Sequence, residues 1–138
     1  MAGDRIPELI RRENSGFNRE LGIRFAELKE GYARAELTIT SKHLNPYGAV
    51  HGGCIFSLMD TAGGAAAVAR GNRISTSSGS ISFMNAATQS EKLIAEAEEL
   101  KNGKHLLVYD VTVKDESGRL IAKSTITYFR LPEKIESS

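Results

Sequence analysis

The chain has 138 residues, 41% of them hydrophobic and 25% charged, with a formal net charge of +1. That is enough to bury one core, and the near-neutral balance gives neither a nucleic-acid footprint nor an acidic tail. The single cysteine, Cys54, excludes an internal disulfide framework, and neither a secretory h-region nor a membrane-length apolar run is present, so a cytoplasmic setting without a membrane partner is expected.

Residues 5 to 18 read as a short amphipathic helix, with Ile6, Leu9, Ile10 and Phe17 at roughly helical spacing and Pro7 in the first turn. From Gly22 the period becomes two: Ala33, Ala35, Leu37 and Ile39 share one face, and Gly31 marks the turn between two antiparallel strands. A polar loop, SKHLNPYG, follows, broken by Asn45-Pro46 and Gly48. Residues 52 to 70 return to helical period. The remainder alternates as four strands, the first holding the serine-rich run STSSGSIS. Asn102-Gly103 signals a tight hairpin, Glu116-Ser117-Gly118 another turn, and LPEKIESS a frayed tail. The class is α+β: one long helix against an antiparallel sheet that has too many alternating strands to leave one face bare.

On a wheel of residues 54 to 69, Ile55, Leu58, Met59, Ala62, Ala65, Ala66 and Ala69 fall on one face, which packs on the sheet. Asp60 falls opposite, among Phe56, Ser57, Gly63, Gly64 and Ala67. A water-facing side would carry Lys, Glu or Arg, and two mid-helix glycines cost about 1 kcal/mol each relative to alanine. Another backbone or a ligand is therefore expected close to this face. An unpaired buried carboxylate costs several kcal/mol, so Asp60 is either a structural residue bonded to a backbone amide or an arginine, or a functional one.

Gly52 and Gly53 open the helix, where backbone N–H groups lack intrahelical partners and the dipole favours negative charge. Donors so arranged suit an oxyanion, and Asn45 could add a side-chain amide; a plain turn into the helix is the simpler reading of the glycines alone. Gly52 and Asp60 lie eight residues apart, about 12 Å along the axis, too far for one acyl carbon to touch both. If they cooperate, they come from different subunits, the small-residue face of one helix lying near the helix start of its partner in a homodimer.

NPYGAVHGG followed by Asp60 resembles the Asn-x-x-Gly-x-x-His-Gly-Gly…Asp pattern of hotdog-fold acyl-CoA thioesterases of the PaaI-like (phenylacetate-degradation) branch. The resemblance covers roughly residues 17 to 130 of a single domain spanning 1–138, and implies a curved antiparallel sheet wrapped round one central helix. It further implies that Asp60 is the nucleophile or general base, that Gly52 donates its N–H to the oxyanion, and that Asn45 holds the thioester carbonyl or the water. Thr76 matches the position that orients the water; His51, which supports the loop and is not the base, and Gly53 would be substrate-binding residues. An acyl-CoA substrate, no cofactor or metal, and a homodimer or dimer of dimers follow from the same likeness. The segment MNAA lacks the proline that many relatives carry there.

His43, His51 and His105 form no ligand-spaced cluster, so no metal site is expected, and Cys54 reads as a packed residue rather than a nucleophile. The rival functions are a dehydratase, whose histidine motif the surroundings of His51 do not resemble, and a non-catalytic acyl-CoA-binding or regulatory domain.

Overall fold

In the computed structural model, which describes residues 5–135, helices α1 (Ile6–Glu13) and α2 (Gly16–Leu21) precede strands β1 (Ile23–Lys29) and β2 (Tyr32–Thr38). A loop with one 3-10 turn leads to the long helix α3 (Gly52–Val68), followed by β3 (Asn72–Phe83), β4 (Lys92–Asn102), β5 (Leu106–Asp115) and β6 (Leu120–Lys134). The strands pair antiparallel in one sheet of order β1-β2-β4-β5-β6-β3, and α3 contacts every one of them. This is the hotdog arrangement. No helix among the described residues is long and apolar enough to cross a membrane.

Small residues set how closely helix and sheet approach. Ala33 and Ala35 of β2 lie opposite Ala97 and Ala95 of β4, and α3 brings Ala62, Ala65, Ala66 and Ala69 into the same core. Larger side chains fill the flanks: Leu37 pairs with Leu93, and Tyr109 meets Tyr128 edge to face, ring centroids 5.9 Å apart. The loop before α3 is fastened by buried His43, whose Nδ1 accepts the Thr40 N–H (2.9 Å) while Nε2 donates to the Leu21 carbonyl (2.6 Å).

All seven residues assigned to the sheet-facing side of α3 are buried. The opposite side departs from expectation, because Gly63, Gly64 and Ala67 are buried within the same chain. A Cβ on Gly63 would sit 2.3 Å from the Tyr128 hydroxyl, so the neighbour that this glycine admits is β6 of its own sheet rather than a partner's helix. Gly64 meets Tyr128 and Ile74 only at ordinary contact distance.

Three local expectations also change. The N-terminal helix is two, broken where Asn14 ends α1 and Gly16 takes φ +55°, which leaves Phe17 65% exposed instead of on the apolar stripe. The Asn102-Gly103 hairpin is wider than a two-residue turn: Asn102 pairs with Leu107, and the Gly103 N–H bonds the Leu106 carbonyl. Instead of a frayed tail, β6 continues through Lys134, and Ile135 packs on the core and donates its N–H to the Gly71 carbonyl; residues 136–138 of the expected tail lie outside the described residues.

Gly63→Ala is expected to destabilise the fold by about 1–3 kcal/mol although alanine is the better helix former. Urea unfolding reads this, and Tyr128→Phe in the same chain should recover part of the loss by removing the oxygen that clashes. An unchanged midpoint for Gly63→Ala would contradict the packing described.

Candidate active site

The start of α3 leaves one donor open. His51 is its N-cap, and its Nδ1 accepts the Gly53 N–H at 2.8 Å. The Cys54 and Ile55 N–H groups both reach the His51 carbonyl. Of the four amides that begin the helix, only that of Gly52 has no partner among the described residues. His51 thus fixes the turn and takes the amide of Gly53, leaving Gly52 as the available donor.

Asn45 is placed beside it. Its Oδ1 accepts the N–H groups of Tyr47 (2.9 Å) and Ala49 (3.1 Å), an Asx turn that orients the side chain. The Nδ2 has no acceptor among the described residues. Asn45 and Gly52 line one open cavity of about 290 Å3, walled by Val50, Ile55, Phe83 and Met84. A Cβ on Gly52 would approach the Phe83 ring to 3.2 Å, so a larger residue would crowd the aromatic wall.

Asp60 lies two turns further along α3, half-buried, and the structure brings it together with Thr76. The Thr76 hydroxyl donates to both carboxylate oxygens, at 3.0 and 3.2 Å. Tyr128 donates its hydroxyl to the Asp60 backbone carbonyl at 3.2 Å. Burial first, and then the Asp60 charge, push the Tyr128 phenol far above its ordinary range, which keeps it a donor. No lysine or arginine pairs with Asp60 among the described residues. The site residues therefore form two groups within one chain: Gly52, Asn45 and His51 at the helix start, and Asp60 with Thr76 about 12 Å along it.

One residue near Asp60 was not singled out from the sequence. The carboxyl of Glu13, which ends α1, is pushed up, mainly by burial and secondly by the Asp60 charge. The other candidates stay structural. Cys54 is buried and its thiol is pushed up by burial; His43 is a buried tie, and His105 stacks on Phe129. Among the described residues no cluster of three His, Cys, Asp or Glu could hold a metal ion.

Comparison with known proteins places this geometry in a family. The thioesterase superfamily profile matches residues 47–122, a span holding both groups except for Asn45. The chain is 40% identical over 113 residues to a putative esterase of Archaeoglobus fulgidus, covering 82% of this chain and 73% of that one. It is 32% identical over 110 residues to the acyl-coenzyme A thioesterase PaaI of Escherichia coli, covering 80% and 79%. The solved structure of E. coli PaaI superposes with a TM-score of 0.89 at 28% identity, covering 98% of this chain and 96% of that one. A Streptococcus mutans protein bound to acetyl-CoA superposes with a TM-score of 0.79 at 26% identity, covering 83% and 92%. The chain belongs to the thioesterase superfamily and is a thioester hydrolase of the hotdog-fold, PaaI-like kind.

Proposed function

We propose that this chain hydrolyses acyl-CoA thioesters to the free acid and coenzyme A, at a site shared by two copies of the chain. The observation that carries this reading is that, among the described residues, α3 holds one open amide, at Gly52, and one carboxylate that accepts only a hydroxyl, at Asp60. E. coli PaaI is named as an acyl-CoA thioesterase, and the S. mutans protein holds acetyl-CoA; both support the substrate class.

The edge strand β3 supports the sharing. It pairs with β6 on one side and with nothing on the other among the described residues, and most of its twelve residues are exposed. A long edge strand with free N–H and C=O groups is a template for another strand. Antiparallel pairing of two copies about its midpoint sets Thr76 opposite the partner's Gly79, Ile74 opposite Ile81, and Asn72 opposite Phe83. Thr76, Gly79, Ile81 and Phe83 share the face of β3 whose β6 neighbours Tyr128, Ile126, Ser124 and Ala122 are buried. They do so because the bulge between Thr76 and Ser78 shifts the side-chain alternation by one. Opposed residues of the two copies therefore face the same side. Because Gly52 lies against Phe83, this pairing would bring the partner's Gly52 and Asn45 to the Asn72 end of β3, on the strand that carries Thr76 beside Asp60.

In such a site Asp60 supplies the electron pair for attack, either directly or by taking a proton from water. The carbonyl pair moves to oxygen and is met by the Gly52 N–H, with the Asn45 amide at hand and the α3 dipole behind it. Collapse breaks the C–S bond and expels the thiolate; on the direct route water then hydrolyses the acyl–Asp60 anhydride to release the acid, and on either route one proton of that water ends on the thiol.

Asp60→Asn keeps volume and removes charge, so kcat should fall about 10²–10⁴-fold with the fold intact. Thiol release from phenylacetyl-CoA and aliphatic acyl-CoAs measures it; a variant as fast as wild type would remove Asp60 from the chemistry. Ser77, the extra residue at the bulge, has no place in the β6 register, so Ser77→Pro removes an edge donor while sparing that ladder. Sedimentation should show a folded monomer without activity. A fully active monomer would refute the shared site.

A further inference from the structure

Successive turns of α3 meet β3 in step. A Cβ on Gly52 would approach the Phe83 ring to 3.2 Å, and the Phe56 ring lies where a Cβ on Gly79 would meet it at 2.9 Å. The Thr76 hydroxyl donates to the Asp60 carboxylate at 3.0 Å, and a Cβ on Gly64 would touch Ile74 at 3.8 Å. Residues four apart share one face of a helix, about 6 Å apart along its axis. The strand keeps the same step. Thr76 and Gly79 lie opposite Tyr128 and Ile126 of β6, which are two residues apart, about 7 Å along a strand. Phe56 therefore stands one turn from Gly52 and one turn from Asp60, on the side of α3 that carries both. Of these helix residues it alone brings an apolar side chain. A glycine inside a strand weakens it and marks a close approach; at Gly79 the group that approaches is the Phe56 ring.

We propose that Phe56 sets the acyl specificity of the thioesterase site, its ring forming the end wall that limits how long an acyl group can be. This rests on the thioesterase reading above and adds to it a residue that touches the substrate. Its placement does not depend on how two copies meet. If Asp60 of one copy works with Gly52 of the other, each brings its own Phe56 one turn away. If both worked within one chain, the ring would stand between them. On either arrangement, a thioester carbon in reach of Asp60 has a Phe56 ring within about one helical turn.

Polarity assigns the two arms of an acyl-CoA to the two directions along α3. Toward Phe56 the side chains are the ring itself and Ile126, which a Cβ on Gly79 would meet at 3.6 Å. They offer no hydrogen bond, so the amides of the coenzyme arm would lose water there without replacement, while a hydrocarbon chain gains by burial. In the other direction Gly64 adds no bulk, and Val68 and Ile74 border an open cavity of about 640 Å3. Arg12, Arg73 and Lys134 line it beside Glu13 and Glu133, which suits a polar, anionic arm and not a hydrocarbon one. The acyl arm is thus left to Phe56. The ring is packed against the hydrophobic core, so the wall has support behind it. Apolar pockets of fixed depth discriminate about 10- to 200-fold for each methylene.

The test measures kcat/KM for acetyl-, butyryl-, hexanoyl-, octanoyl- and decanoyl-CoA with wild type, Phe56→Ala, Phe56→Leu, Phe56→Trp and Asp60→Asn. Wild type should show a fall-off at a definite chain length. Phe56→Ala should move that fall-off to longer chains, raising kcat/KM for the first chain that wild type rejects about tenfold or more relative to the chain it uses best. Phe56→Trp should move it to shorter chains, and Phe56→Leu should lie between alanine and wild type. Comparing chains within one variant cancels any loss of folded or paired protein. Asp60-dependent hydrolysis with the same fall-off in all three Phe56 variants overturns this inference alone, as does a wild type with no fall-off up to decanoyl-CoA. A Phe56→Ala variant inactive on every chain, with unchanged fall-offs for leucine and tryptophan, would make the ring a packing residue and overturn it too. A wild type inactive on every thioester overturns both readings.

Discussion

The rest of the structure depends on enclosing α3. A helix that touches all six strands of a curled sheet has little surface left for water, and this one meets that demand with alanines toward β2 and β4 and with a glycine where Tyr128 crosses it. Polar chemistry is thereby confined to two places, the helix start and the single charged side chain along its length. Both sit where protein has displaced much of the water, so the dipole of the open Gly52 amide and the charge of Asp60 act with less screening than on a free surface. The separation of those two places is fixed by the helical rise. A sheet that wraps one helix this completely cannot bend it to bring them together, so any chemistry using both needs a second helix.

For the shared site proposed above, the two sheet edges differ in what they offer a second copy. β1 is short, carries Arg24, Glu27 and Lys29, has a bulge between Phe25 and Glu27, and is contacted by α1 and α2. Those are devices that discourage further pairing. β3 has none of the charges over its centre; its serines are small, neutral and polar. Such residues tolerate water while exposed and tolerate a neighbouring strand equally well. Phe56 of α3 rests over Gly79, where a Cβ would meet its ring at 2.9 Å, so even this edge is shaped by the helix beneath it.

Much of this was legible in the chain because the governing signals are local. Ala33, Ala35 and Leu37 announce β2 by alternation, and a helix with one carboxylate and no compensating lysine announces Asp60 as unusual. The position of Thr76 relative to Asp60 came from the family likeness, and the hydrogen bond between them is now seen. What was hidden is tertiary. The residue that needs Gly63 is Tyr128, sixty-five positions away on a strand whose inward face alternation gives, but whose partner on the helix it does not. Glu13 was unreadable for the same reason: a glutamate ending an amphipathic helix looks solvated until the fold half-buries it. The split of α1 from α2 turns on Asn14-Ser15-Gly16, a breaker cluster masked by the apolar spacing that continued to Phe17.

Within the same chain, Asp115 shows what a structural aspartate looks like. Its Oδ1 accepts the Ser117 hydroxyl (2.7 Å) and the N–H groups of Ser117 (2.9 Å) and Arg119 (3.0 Å), and those donors, the hydroxyl foremost, hold its carboxyl below the usual range. That carboxylate closes a turn, with the lone pairs of one oxygen taken by three donors. Asp60 accepts one hydroxyl and has no backbone donor and no cation among the described residues. Tyr128 donates its hydroxyl to the Asp60 backbone carbonyl rather than to its side chain. A carboxylate held in place by one hydroxyl keeps lone pairs free, and in the shared site proposed above those are the pairs that would face the thioester carbon or its attacking water.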